Sequence, residues 1–96
     1  MKPSEAIIQQ SDAIKAAAQK YGYTNLRVFG AISRGFDTEG SILYILGDPQ
    51  AQATPLNQTR LERDLTQALN TPVVVLEESR LPEHMANEVA KGTIPI

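Results

Sequence analysis

The sequence predicts an α/β (α+β) domain, a small sheet flanked by helices. Two short runs, Ile42–Leu46 and Val73–Leu76, are apolar without clear alternation. Strands buried on both faces have that pattern, so both runs are expected inside the sheet, with helices over at least one face. Stretches with helical apolar spacing precede each run. The 96 residues fit one domain spanning 1–96.

The elements follow in order. Ser4 to Tyr21 is expected as one helix, with Ser4 as N-cap and Glu5 well placed for the dipole. Ile7, Ile14, Ala18 and Tyr21 share one face, filled in by Ser11 and Ala17. Gly22 is a natural stop in the left-handed conformation. Asn25 to Phe29 reads as a strand, with Leu26 and Val28 on one face and Arg27 and Phe29 on the other. Gly30 to Gly40 is a glycine-rich loop with a Ser-Arg pair, and Ser41 to Leu46 is the second strand. After the loop Asp48 to Pro55, a second helix starts with Thr54 as N-cap and Pro55 in the first turn. Leu61, Leu65, Ala68 and Leu69 form its apolar stripe. Val73 to Leu76 is the third strand, and Leu81 to Lys91 a last short helix ending at Gly92.

Composition narrows the function. Apolar residues make up 42% and charged residues 21%, as in a globular chain. The net charge is −2, and the nine basic residues are scattered. That argues against nucleic acid as main partner, because phosphate neutralisation needs clustered Lys and Arg. No stretch suits a signal peptide or a bilayer span, so no membrane partner and a cytoplasmic location are expected. There is no cysteine, hence no thiol nucleophile or disulfide framework.

The segment RVFGAISRGFDTEGSILYILGD carries the most information. It resembles the signature of the minimal nucleotidyltransferases of the DNA polymerase β superfamily, and the start MKPSEAI, the stretch LNTPVVV and the end IPI are similar to that family too. The resemblance implies the nucleotidyltransferase fold, a mixed three- to four-stranded sheet flanked by helices. In that family a Gly-Ser loop meets nucleotide phosphates, Asp-x-Asp opens the next strand, and a third Asp joins from a neighbouring strand. Side chains at i and i+2 of a strand share a face. Such carboxylates hold Mg²⁺, which aligns and neutralises the phosphates.

Carried onto this chain, the resemblance places Gly30, Ala31, Ser33, Arg34, Gly35 and Ser41 at nucleotide-binding positions. Ala31 stands where the family has Ser, and Gly40-Ser41 matches the pair before the carboxylates. The carboxylate positions are Ile42, Tyr44 and, on the later strand, Val74. Aliphatic side chains offer no lone pair to Mg²⁺, and a phenol with an ordinary pKa near 10 is a poor ligand at neutral pH. The stretch therefore reads as a catalytic strand turned into core, with no catalytic residue, no metal ligand and no cofactor expected.

The remaining polar residues have plain readings. Asp37, Glu39 and Asp48 are expected as solvated loop charges, Glu62, Arg63 and Asp64 as a solvated helix face, and His84 as a surface residue. For Arg34, phosphate contact and pairing with Asp37 or Glu39 both stay open. Ser33 is expected to cap a short helix after Gly30. Family members of this size often serve as antitoxins of HEPN ribonuclease toxins, some by adenylylating them. The resemblance thus implies a non-catalytic, antitoxin-like module with a HEPN-type partner. An active nucleotidyltransferase using Mg²⁺ and ATP and a metal-independent nucleotide sensor are the alternatives.

Overall fold

A computed structural model describes residues 2–30, 32, 35, 37–38 and 41–96. Helices α1 (Pro3–Gln9) and α2 (Ser11–Lys20) come first, then strands β1 (Tyr23–Phe29) and β2 (Leu43–Pro49). Helix α3 (Pro55–Leu69), strand β3 (Val73–Leu76), a 3₁₀ turn (Glu78–Arg80), helix α4 (Glu83–Ala90) and strand β4 (Thr93–Pro95) complete the order.

The four strands form one mixed sheet in the order β3-β2-β1-β4. β1 is antiparallel to both β2 and β4, and β2 is parallel to β3. Parallel neighbours need a crossover connection, which α3 supplies. One sheet face carries Leu26 and Val28 of β1, Leu43 and Ile45 of β2, and Val73 and Val75 of β3. The helices cover it with Ile7, Ile14, Ala18, Leu61, Leu65 and Leu69. The predicted stripes are thus the core, except that Ala68 is exposed.

Several expectations need correction. The first helix is broken at Gln10, whose φ of −119° and ψ of 23° leave the helical region. Its cap is Lys2 in extended backbone rather than Ser4; no side chain caps the helix, and the Ser4 N–H donates instead to Asp37. The β3 run is an edge strand and not interior. It is apolar because α3 packs on one face of it, and its burial alternates along Val73–Leu76. A fourth strand, β4, follows the last glycine.

Other expectations match. Thr54 caps α3, its Oγ1 accepting the Asn57 N–H at 3.1 Å, with Pro55 at the first helical position. Gly22 has φ of +91°, and a Cβ there would meet the backbone nitrogen of Ala53 at 2.8 Å. Both its conformation and its close contact require glycine.

Candidate functional site

The sheet face opposite the core is set by strand alternation. Arg27 and Phe29 of β1 share it with Tyr44 and Leu46 of β2 and with Val74 and Leu76 of β3. Phe29 and Tyr44 meet as tilted rings with centroids 6.3 Å apart. In the parallel β2–β3 register Tyr44 lies directly beside Val74. Ile42 stands two residues before Tyr44 and is 44% exposed.

A groove of about 240 Å³ opens at the end of this face, lined by Phe29, Gly30, Ile32, Asp37, Ser41, Ile42 and Tyr44. Its walls are mostly apolar. Gly30 sits where β1 ends, with φ of +74° and open space where a Cβ would point. Ser41 is held in a turn: its Oγ accepts the Thr38 N–H at 3.1 Å, and its own N–H donates to the Thr38 carbonyl at 3.1 Å. The Thr71 hydroxyl donates to the Ser41 carbonyl at 3.3 Å and ties this turn to the start of β3.

Asp37 is the charged residue among the described lining of the groove. It is only 5% exposed. Its Oδ2 accepts the Ser4 N–H at 2.9 Å, anchoring the loop to the start of α1. Its Oδ1 is buried and has no hydrogen-bond partner among the described residues. Burial pushes the carboxyl pKa up, but hydrogen bonds from Ser4 and from its own backbone, with the nearby Lys2 ammonium, bring it below the ordinary value. The group is therefore a carboxylate at neutral pH.

No family model and no curated protein matches the sequence. Solved structures do. One, of a candidate minimal nucleotidyltransferase, superposes with a TM-score of 0.82 at 27% identity, covering 97% of this chain and 95% of that one. The chain has the nucleotidyltransferase fold. A chain from a toxin-antitoxin structure with AMP-PNP matches at TM-score 0.68 and 15% identity, over 97% of this chain and 71% of its own. One from a mutant of the MntA-HpeT toxin-antitoxin matches at 0.70 and 16%, over 90% and 70%. At those identities the likeness is one of fold.

In this fold, two of the three positions that the resemblance matches to carboxylates sit side by side on one sheet face. Tyr44 and Val74 are cross-strand neighbours, and Ile42 lies just before β2 and lines the groove with Tyr44. They are not core, which corrects the sequence expectation. Leu43, Ile45, Val73 and Val75 are buried under the helices and Leu46 is buried on the other face, while Tyr44 and Val74 are half-buried and Ile42 is exposed. The alternation begun by Leu43 sends the flanking residues to the other face.

Of the nucleotide-binding candidates, Gly30 and Ser41 line the groove. Gly35 lies elsewhere, with Ile8 and Ile94 in an apolar cleft between α1 and β4. Ala31, Ser33 and Arg34 lie outside the described residues, as do Glu39 and Gly40. Sequence reasoning missed Phe29, Ile32 and Asp37 as groove residues.

Other charges also found partners. Asp48 belongs to β2 and accepts from Arg27 Nη2 at 2.9 Å and Asn25 Nδ2 at 3.0 Å. Asp64 accepts the Tyr21 hydroxyl at 2.6 Å, and Glu62 accepts the Val75 N–H at 2.8 Å. Arg63 and His84 are exposed as expected. Among the described residues no three His, Cys, Asp or Glu side chains cluster to hold a metal, and no helix is long and apolar enough to cross a membrane.

Mg²⁺ takes oxygen ligands, commonly one or two carboxylates plus substrate phosphates. At the matched positions this chain offers two aliphatic side chains and a phenol. Asp37 is one nearby carboxylate, with one of its oxygens engaged by Ser4. Among the described residues, that donor set does not fit the ion.

Proposed function

We propose that the domain acts as a non-catalytic, antitoxin-like binding module. The observation that carries this reading is the Tyr44–Val74 pair with Ile42 beside it, an apolar surface where the fold's relatives are expected to hold carboxylates. Charged residues on a sheet face keep that face in water. Apolar ones leave a patch suited to another protein surface. The partner expected from the resemblance is a toxin of the HEPN ribonuclease type. Toxin-antitoxin structures among the fold neighbours support a toxin as partner.

Calorimetry with Mg-ATP tests the absence of nucleotidyl chemistry, with co-purification alongside the product of the adjacent gene testing the partner. The expected result is no metal-dependent heat and a stable complex. Metal-dependent ATP binding that is lost on changing Arg34 or Ser33 overturns the reading in favour of an active nucleotidyltransferase. Phosphate binding without metal favours a nucleotide sensor instead.

A further inference from the structure

Two features of the groove stand apart from the lost carboxylates. Asp37 lines it, is almost wholly buried, and keeps one oxygen without a hydrogen-bond donor among the described residues. Buried polar atoms are normally paired, and an ionised one most of all. Beside it stand the Tyr44 and Phe29 rings with Ile42 and Ile32, and Gly30 and Ser41 complete the described lining. An anionic acceptor among aromatic and aliphatic walls complements a flat cation on an apolar stem. A guanidinium is planar, weakly hydrated and stacks on rings, whereas an ammonium is compact and strongly hydrated.

Size points the same way. The groove measures about 240 Å³. Small-molecule pockets run from about 300 to 1,000 Å³. One inserted side chain suits such a space better than a whole nucleotide. Since Ser4 occupies Oδ2, a single N–H···O bond to Oδ1 is the geometry available. Oδ1 lies beneath the groove surface, so contact requires the groove wall over it to give way.

We propose that this groove receives one arginine side chain of the partner protein, its guanidinium bonded to Asp37 Oδ1 and stacked on Tyr44. The stem methylenes would lie along Ile42 and Ile32. This rests on the binding reading given above and names the chemistry the partner must present.

The test is a titration of the ¹⁵N-labelled domain with capped arginine, followed by amide shifts, beside its citrulline counterpart. Citrulline keeps the shape and loses the charge. Saturable shifts at Gly30, Ser41, Ile42 and Tyr44 with arginine are expected, with citrulline weaker by about tenfold or more. Asp37→Asn should weaken arginine to the same degree. Should that variant unfold, Tyr44→Leu at the half-buried wall serves instead and should also weaken it. Equal binding of citrulline, unchanged binding by a folded variant, or shifts that avoid the groove overturn the proposal. Mg-ATP added to the same sample reports separately on the binding-module reading, so the two can fail independently.

Discussion

Glu62 Oε2 accepts the Val75 N–H at 2.8 Å, and Gln58 Nε2 donates to the Val75 carbonyl at 2.6 Å. Thr66 Oγ1 adds a third contact, accepting the Val73 N–H at 3.1 Å. Residues 58, 62 and 66 lie one helical turn apart on α3, so one polar stripe follows the outer edge of β3. A free edge strand invites pairing with another chain, and these side chains occupy it. At the opposite edge the Ile96 N–H donates to the Leu26 carbonyl at 3.0 Å, and alternation then turns Pro95 outward. Proline offers no donor to an added strand. Both edges of the sheet are thus poorly suited to strand addition.

Glu62→Ala should leave the Val75 N–H unpaired in a half-buried place and cost about 1–3 kcal/mol. Glu62→Gln keeps an acceptor and should cost clearly less. Urea denaturation of both variants measures the difference, and size-exclusion chromatography reports whether opening the edge promotes self-association. Equal stability of the alanine variant and the parent would show that water replaces the carboxylate at no loss.

That stripe shows what a single sequence conceals. Leu61, Leu65 and Leu69 announce themselves by spacing, because apolar periodicity is local. Glu62 and Asp64 read as a solvated face, yet one bonds β3 and the other the Tyr21 hydroxyl. Their partners lie 13 and 43 residues away, and no local pattern encodes them. Asp37 is hidden in the same way, its partner Ser4 lying 33 residues earlier. The candidate site was half legible. Gly30, Ser41, Ile42 and Tyr44 stood out through their motif, but the motif could not tell which side of β2 is covered. Leu43, not Ile42, faces the helices, and that phase is fixed by packing.

Gly22 should tolerate no side chain. An L-residue held at its φ of +91° is strained by about 1–3 kcal/mol. The added Cβ would also press on the Ala53 backbone nitrogen at 2.8 Å. Gly22→Ala is expected to lose at least that much stability. Thermal unfolding followed by circular dichroism measures it, and Gly92→Ala is a useful contrast. Gly92 is also left-handed, at +128°, but a Cβ there meets nothing within 4 Å, so the steric share is isolated.

Tyr23 should make the fold sensitive to alkali. Burial, then the Glu77 carboxylate and its hydrogen bond, push the phenol up to about 12 from 10.0. The hydroxyl donates to Glu77 Oε2 at 3.2 Å. The folded state therefore holds the proton more tightly than the unfolded chain. Its contribution is whole below the unfolded value of 10.0 and is lost as pH rises towards about 12. Tyr23→Phe removes this proton linkage. The variant should be less stable near neutrality, having lost the bond to Glu77, and should show a shallower stability loss across that window. Parallel slopes for parent and variant would place the alkaline sensitivity elsewhere.

Placing carboxylates at the three positions that the resemblance matches to metal ligands gives a stability test of their geometry. In Ile42→Asp/Tyr44→Asp/Val74→Asp, residues 44 and 74 face each other across parallel strands. Neighbouring strands lie about 4.8 Å apart. Two carboxylates at that distance repel by roughly 3 kcal/mol at an effective dielectric of 20. The repulsion should be smaller here, because these positions are half-buried or exposed and water screens them. The Phe29–Tyr44 ring contact is lost as well. Without metal the triple variant should therefore melt below the parent. A bound ion stabilises only the state that holds it, by RT ln(1 + [L]/Kd). Mg²⁺ should thus raise the melting temperature of the variant and leave the parent unmoved. A variant indifferent to Mg²⁺ would mean that positions 42, 44 and 74 do not converge on one ion, and the apolar face would then owe nothing to a lost metal site.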